Sequence, residues 1–286
     1  MNTKYSVGGC IPSPKDNRDW KLDKLLAVNA VQLPREFLPD YGDFTYNQGN
    51  SSECCACSYC YIRHLQEMDS ETQSGFTEPF SPSFQYANRE AEENFEGMLL
   101  RSCCKKGKEG SLPWHYFPYF YSLPKCKEIL QKNRIRFLNL AHPYRISSFY
   151  TVNSANDIKT AVYLTKGVLI GISVTEPFYE PNKDGVIVYD RHDYESDGGH
   201  ALTIDGWKYI NDKLYFRIKN SWGKEWGVNG HCYMSYEDLK RYMIDEGYVL
   251  VDEVNETKLA TLYPKSHFKA FLDTVIYGLK NLTYRK

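Results

Sequence analysis

Apolar and polar positions alternate differently in the two halves of this chain. Residues 1–45 have no sustained period, because Gly8, Gly9, Pro12, Pro14, Pro34 and Pro39 interrupt every pattern. Within them only Leu22 to Val31 reads as a short helix. From Ser51 a helix is expected: Ser51 or Ser52 supplies the cap, Glu53 sits in the first turn, and Ala56, Tyr59, Cys60 and Arg63 continue without a breaker. Ser81-Pro82 opens a second helix through Phe84, Tyr86, Ala87 and Ala91, with proline at the first helical position. A third is expected from Ser111-Leu112-Pro113-Trp114 through Phe120.

The second half is built from short β-branched and aromatic runs bounded by Gly, Asp and Asn. Val168 to Val174, Gly185 to Tyr189, His200 to Trp207, Lys213 to Ile218 and His231 to Met234 read as strands, mostly antiparallel because the links are short. One amphipathic helix, Asn156 to Leu164, precedes them. Helices first and strands second predict an α+β protein in two lobes. Near the end, Phe268, Phe271, Leu272, Val275, Ile276 and Leu279 recur at helical spacing, the pattern of a terminal helix docked on the domain.

Composition narrows the function classes. Hydrophobic residues make up 42% and charged residues 25% of the 286, which excludes global disorder. With 35 basic and 36 acidic side chains, the net charge of −1 offers no basic face for nucleic acid. The longest apolar run, Gly167 to Val174, falls far short of the roughly 20 residues that span a bilayer. Met1 to Trp20 lacks the apolar core of a secretory signal, so a cytoplasmic, reducing location is expected, with most cysteines as free thiols. The sequons at Asn50, Asn255 and Asn281 are then chance matches. The nine cysteines are the unusual feature: an odd number, with four of them between Cys54 and Cys60.

Cys54 stands at the expected N-terminus of a helix, after the polar loop Asn47 to Glu53. The helix dipole there favours the thiolate, the nucleophilic form. Downstream, Gly198-Gly199 precedes His200 at a strand start, and Asn220 follows in Ile218-Lys-Asn-Ser-Trp-Gly223. A thiol, an imidazole and an amide are the parts of an activated sulfur nucleophile.

These blocks resemble the papain-like cysteine peptidases over about residues 34–251. Ile218-Lys-Asn-Ser-Trp-Gly-Lys-Glu-Trp-Gly-Val-Asn-Gly230 reproduces the family's K-N-S-W-G-x-x-W-G-x-x-G signature, and Gly199-His-Ala-Leu matches its histidine block. Gln48 precedes Cys54 by the family's interval between oxyanion glutamine and nucleophile. The resemblance implies a papain-like fold: a helical lobe at about 45–140, an antiparallel β lobe at about 141–251 and a cleft between them. Residues 1–33 and 252–286 then stand as N- and C-terminal extensions.

The roles it implies are Cys54 as nucleophile, His200 as its base, and Asn220 accepting from or donating to the imidazole. Trp222 would cover that contact, and the Gln48 amide with the Cys54 backbone N–H would bind the oxyanion. The substrate would be a peptide or protein, with no cofactor and no metal. For substrate contacts the resemblance suggests Gly110 and Ser111 as backbone partners and Leu112 and Pro113 as the wall of the second subsite, with Ile170, Gly171 and Gly199 opposite.

Two departures from the family stand out. Ser51 occupies the position of a disulfide cysteine in many secreted members, and Cys55 that of the common tryptophan. The family's long inhibitory prosegment has no counterpart in residues 1–33, and the segment around Cys10 is expected to rest on the back of a lobe, the alternative being a place over the cleft. Rival readings are an iron–sulfur or zinc site at Cys54, Cys57 and Cys60 with Cys103, Cys104 or Cys126, and a papain-like fold used as a transferase or binding module.

Overall fold

The computed structural model describes residues 5–17, 19–22, 32–68, 78–118, 121–191 and 193–252. The helix expected from Leu22 to Val31 falls largely outside them, and the expected terminal helix at 268–279 lies wholly outside.

The central element is helix α1, Cys54–Glu67, in which every residue from Cys54 to Gln66 is buried. Neither Ser51 nor Ser52 caps it. Glu53 is the N-cap residue and its side chain makes no capping bond, while Ser51 is tied into the preceding turn by its N–H to the Gln48 carbonyl at 3.0 Å. Helix α2, Pro82–Ala87, forms as predicted, with the Ser81 hydroxyl accepting from the Phe84 N–H at 3.1 Å, and it stops before Ala91. The helix expected at Ser111 is only a 3-10 turn, Trp114–Tyr116. Two helices that the pattern reading missed are α3, Leu100–Gly107, and α4, Leu123–Ala141. Helix α4 buries only Leu123, Cys126, Leu130, Phe137 and Ala141, a narrow stripe on a largely polar surface helix.

The β lobe holds strands β3 (Ser148–Val152), β4 (Val168–Val174), β5 (Gly198–Ile210), β6 (Lys213–Lys219), β7 (His231–Ser235) and β8 (Gly247–Val251). Among the described residues they form one sheet in the order β3-β8-β4-β5-β6-β7, antiparallel throughout. Helix α5, Ala155–Thr165, is capped by Ser154. Two shorter helices, α6 (Glu176–Tyr179) and α7 (Tyr236–Tyr242), complete this lobe. The run Gly185 to Tyr189 is not a strand, for only Val186 bridges Tyr233. Strands β3 and β8 pair with each other from Ser148↔Val251 to Val152↔Gly247, a long-range match that no local pattern announces.

Each lobe has its own apolar core, one around Phe80, Phe84 and Phe137, the other around Trp207, Phe216 and Trp226. Polar bonds from α1 join them. Thr203 donates to the Ser58 carbonyl at 3.1 Å, and Gln66 donates to the carbonyls of Thr165 and Leu250 at 2.9 and 3.0 Å.

The N-terminal segment takes the less favoured of its two expected places. It lies in the groove between the lobes, not on the back of one. Strand β1, Cys10–Ile11, pairs in parallel with β2, Met98–Leu99, and the Gly8 N–H donates to the Gly199 carbonyl at 2.9 Å. Two exposed backbone edges invite a third strand-like segment, and glycine lets it come close: a Cβ at Gly9 would lie 2.7 Å from the Ser52 carbonyl oxygen and 2.9 Å from Cys54 Sγ.

Candidate active site

Four elements bring the site together. Cys54 is the first residue of α1, His200 lies near the start of β5, Asn220 directly follows β6, and Gln48 sits on the loop before α1. His200 Nε2 lies 2.8 Å from Asn220 Oδ1, which also accepts the Ser221 N–H at 2.7 Å. That leaves His200 Nδ1, buried and without an oxygen or nitrogen partner, for the thiol. The indole of Trp222 stacks on the imidazole with centroids 4.7 Å apart.

The thiol is electrostatically unusual. Burial alone would raise the Cys54 pKa, yet hydrogen bonds from Cys55 and His200, the charge on His200 and the Ala201 backbone hold it well below the ordinary cysteine value. The other thiols of the helix go the opposite way: burial raises Cys55, Cys57 and Cys60 well above that value. Within one helix the Cys54 thiol is thus shifted opposite to its cysteine neighbours.

Gln48 is fixed at both ends of its amide. Its Nε2 donates to the Ser51 carbonyl at 2.7 Å, and its Oε1 accepts from Ser221 Oγ at 2.6 Å. An amide nitrogen has two hydrogens, so one remains for a second acceptor beside Cys54. The sequence reading passed over this Ser221 contact, although Ser221 lies inside the Asn220-Ser-Trp222 block. An open pocket of about 860 Å³ adjoins this loop, lined by Asn47 to Ser52, Glu96, Tyr121 and Ser122.

The expected substrate contacts divide. Gly199 and Trp222 face the cleft, as does Gly171, where an added Cβ would lie 2.8 Å from Cys10 Sγ. Ile170 points to the other side of the sheet, into the β-lobe core, because neighbours on a strand alternate. Gly110, Ser111, Leu112 and Pro113 are not at the thiol. A Cβ at Gly110 would strike the Ala141 backbone, Ser111 Oγ lies 3.1 Å from the Tyr59 hydroxyl, Leu112 is in the helical core, and Pro113 bridges Phe80. The backbone edge beside Cys54 belongs instead to Gly97, Met98 and Leu99, where the Met98 N–H donates to the Gly9 carbonyl at 2.8 Å. The legible clue was Gly97, which adopts a φ of 90° and precedes an apolar pair.

Among the described residues no three His, Cys, Asp or Glu side chains are grouped to hold a metal ion, and no helix is long and apolar enough to cross a membrane. Cys57, Cys60, Cys103, Cys104 and Cys126 are buried free thiols.

Comparisons with known proteins agree with this geometry. Residues 47–251 match the family model of papain family cysteine proteases. An uncharacterised peptidase C1-like protein of Acanthamoeba polyphaga mimivirus is 24% identical over 221 residues, covering 73% of this chain and 70% of that protein. A gut-specific cysteine proteinase of Caenorhabditis elegans is 33% identical over 87 residues, 30% of this chain and 26% of that one. Among solved structures, xylellain, a cysteine protease from Xylella fastidiosa, superposes with a TM-score of 0.73 at 22% identity, covering 87% of this chain and 97% of its own. A procathepsin B from Trypanosoma congolense follows at a TM-score of 0.66 and 16% identity, covering 88% and 87%. With the family model spanning more than half of its length, the chain belongs to the papain family of cysteine proteases.

Proposed function

We propose that this protein hydrolyses peptide bonds by a thiolate mechanism in which Cys54, His200, Asn220 and Gln48 divide the work. Cys54 Sγ attacks the scissile carbonyl carbon. The oxyanion is received by the free N–H of the Gln48 side chain and the Cys54 backbone N–H. His200 protonates the leaving amine, and a thioester remains on Cys54. Water, deprotonated by His200, then attacks the thioester and releases the acid. Asn220 keeps the imidazole in the orientation that faces the sulfur, and Trp222 screens that bond.

The observation that carries this reading is the buried His200 imidazole, held by Asn220 at 2.8 Å with its other nitrogen unpartnered, together with a Cys54 pKa that is lowered while those of its cysteine neighbours are raised. Peptide access requires the segment around Gly9 to leave, since there is not room even for a Cβ between Gly9 and Cys54 Sγ. The test is labelling by a thiol-directed epoxide together with hydrolysis of a peptide substrate. Cys54→Ala is expected to abolish both and Cys57→Ala to spare both. Equal loss in the two variants rejects the assignment, while labelling without hydrolysis but with acyl transfer to an added amine makes the protein a transferase.

A further inference from the structure

Three thiols meet where the N-terminal segment crosses the cleft. Cys10 rests against β4, with its Sγ 2.8 Å from where a Gly171 Cβ would be, and Ile244 lines the same spot. One residue earlier, a Cβ at Gly9 would lie 2.9 Å from Cys54 Sγ. Cys55 lies beside them: its Sγ is 3.8 Å from the Gly9 carbonyl oxygen and 3.2 Å from that of Met98, and Cys10 and Cys54 are both its electrostatic neighbours. All three are buried and unbridged. The segment is held on each side of this point, by Tyr5 stacked on Trp222 at 4.5 Å and by Arg101 gripping Asp16 and Asp19 at 2.5 and 2.8 Å.

A reactive thiolate beside a second thiol is the arrangement in which an oxidised sulfur is captured as a disulfide before it is lost to over-oxidation. Cys10 has no structural duty that needs sulfur, since its backbone makes the pairing with Met98.

We propose that Cys10 is a resolving thiol, which joins Cys54 in a disulfide after Cys54 is oxidised by a peroxide and so fastens the N-terminal segment across the cleft. The proposal rests on the reading of Cys54 as a reactive thiolate. With the segment lifted, the Cys54 thiolate attacks one peroxide oxygen; the O–O bond breaks, an S–OH forms, and hydroxide leaves to become water. When the segment settles back, Cys10 sulfur attacks the Cys54 sulfur; the S–S bond forms, the S–OH bond breaks, and hydroxide departs with the Cys10 proton as a second water. Two thiols supply the two electrons that reduce the peroxide. A dithiol reverses the lock by exchange. Cys55 cannot replace Cys10, because a bond between consecutive residues of a helix would break its first turn.

The test uses the full chain, treated with hydrogen peroxide without reductant, alkylated, digested and mapped by tandem mass spectrometry. The expected product is a Cys10–Cys54 linkage, with epoxide labelling lost and then restored by dithiothreitol. In Cys10→Ser, Cys54 is expected to gain two oxygens as the sulfinic acid, and labelling is not restored. Alkylated Cys10 in the oxidised wild type, a Cys10–Cys55 linkage with Cys54 free, or equal recovery in Cys10→Ser overturns the proposal. Failure of the peptidase reading is separate: the reduced wild type then fails to hydrolyse peptides, whatever the disulfide map shows.

Discussion

At the scale of single residues, two side chains next to Cys54 carry measurable predictions. Gln48 holds the only side-chain amide assigned to the oxyanion, so Gln48→Ala should lower kcat by about 10²–10³ with KM little changed. A fall confined to KM in steady-state kinetics would show instead that Gln48 only binds substrate. Glu53, one residue earlier than the thiol, is buried inside the helical lobe. Its carboxyl oxygens lie 3.0 and 3.1 Å from Ser83 Oγ, and the Tyr121 N–H donates to one of them at 3.2 Å. Burial outweighs those bonds and pushes its pKa up to about 8. The folded state therefore prefers a protonated Glu53. Its contribution is fully present below the unfolded value near 4.5 and is lost as pH rises toward 8, at roughly 1.4 kcal/mol per pH unit across that window. Glu53→Gln should remove this slope, so its stability relative to wild type should improve from pH 5 to about 8 in urea titrations. Parallel curves for the two proteins would mean that Glu53 is ionised in the folded state.

At the scale of elements, the segment carrying β1 decides whether the cleft is open. Among its anchors are the Tyr5–Trp222 ring stack, the backbone bonds of Gly8 to Gly199 and of Met98 to Gly9, and the Arg101 ion pairs. Loosening one anchor should shift the segment toward its lifted state without touching the catalytic groups. Arg101→Ala is therefore expected to raise the second-order rate of epoxide labelling at Cys54 while leaving the saturated hydrolysis rate alone. A labelling rate equal to that of wild type would show that Arg101 does not hold the segment. The same scale explains an error of reading. Glu109 to Trp114 looks in sequence like an edge segment for substrate, but its neighbours are α1, α4 and Phe80, whereas Gly97 to Leu99, with less side-chain signal, lies beside the thiol. A backbone edge has no sequence signature of its own; only its neighbours make it an edge.

At the scale of the whole molecule, α1 is the axis on which the lobes are mounted. Arg63 is fully buried, pairs with Glu67, and reaches Asp252 at the end of the β lobe at 2.9 Å. A charge network closes the other side, where buried Asp205 accepts from Arg217 at 2.7 Å, from the Tyr61 hydroxyl of α1 at 3.1 Å, and lies 3.0 Å from His231. Burial pushes the Asp205 carboxyl up, but His231 and Arg217 outweigh it and hold it below the ordinary range. Breaking a buried pair strands the remaining charge, so Arg63→Ala should cost about 3–5 kcal/mol in urea unfolding. A change under 1 kcal/mol would mean that water reaches Asp252 and Glu67 once the guanidinium is gone.

The residues of the candidate site were legible in the sequence because they are bound to local order. Cys54 follows its loop directly, Asn220 and Trp222 lie in one continuous block, helix α2 announces itself by its Ser81 cap, and α5 by its amphipathic spacing. The two-lobed α+β architecture followed from a change of period that neighbouring residues alone can express. Tertiary structure decided everything that depends on surfaces meeting from distant parts of the chain. It paired β3 with β8 and chose Gly97 to Leu99 as the edge beside the thiol. It also drew Gly9 and Cys10 across the nucleophile. Those contacts depend on shape and on unpaired backbone groups, which a one-dimensional pattern of side chains does not encode.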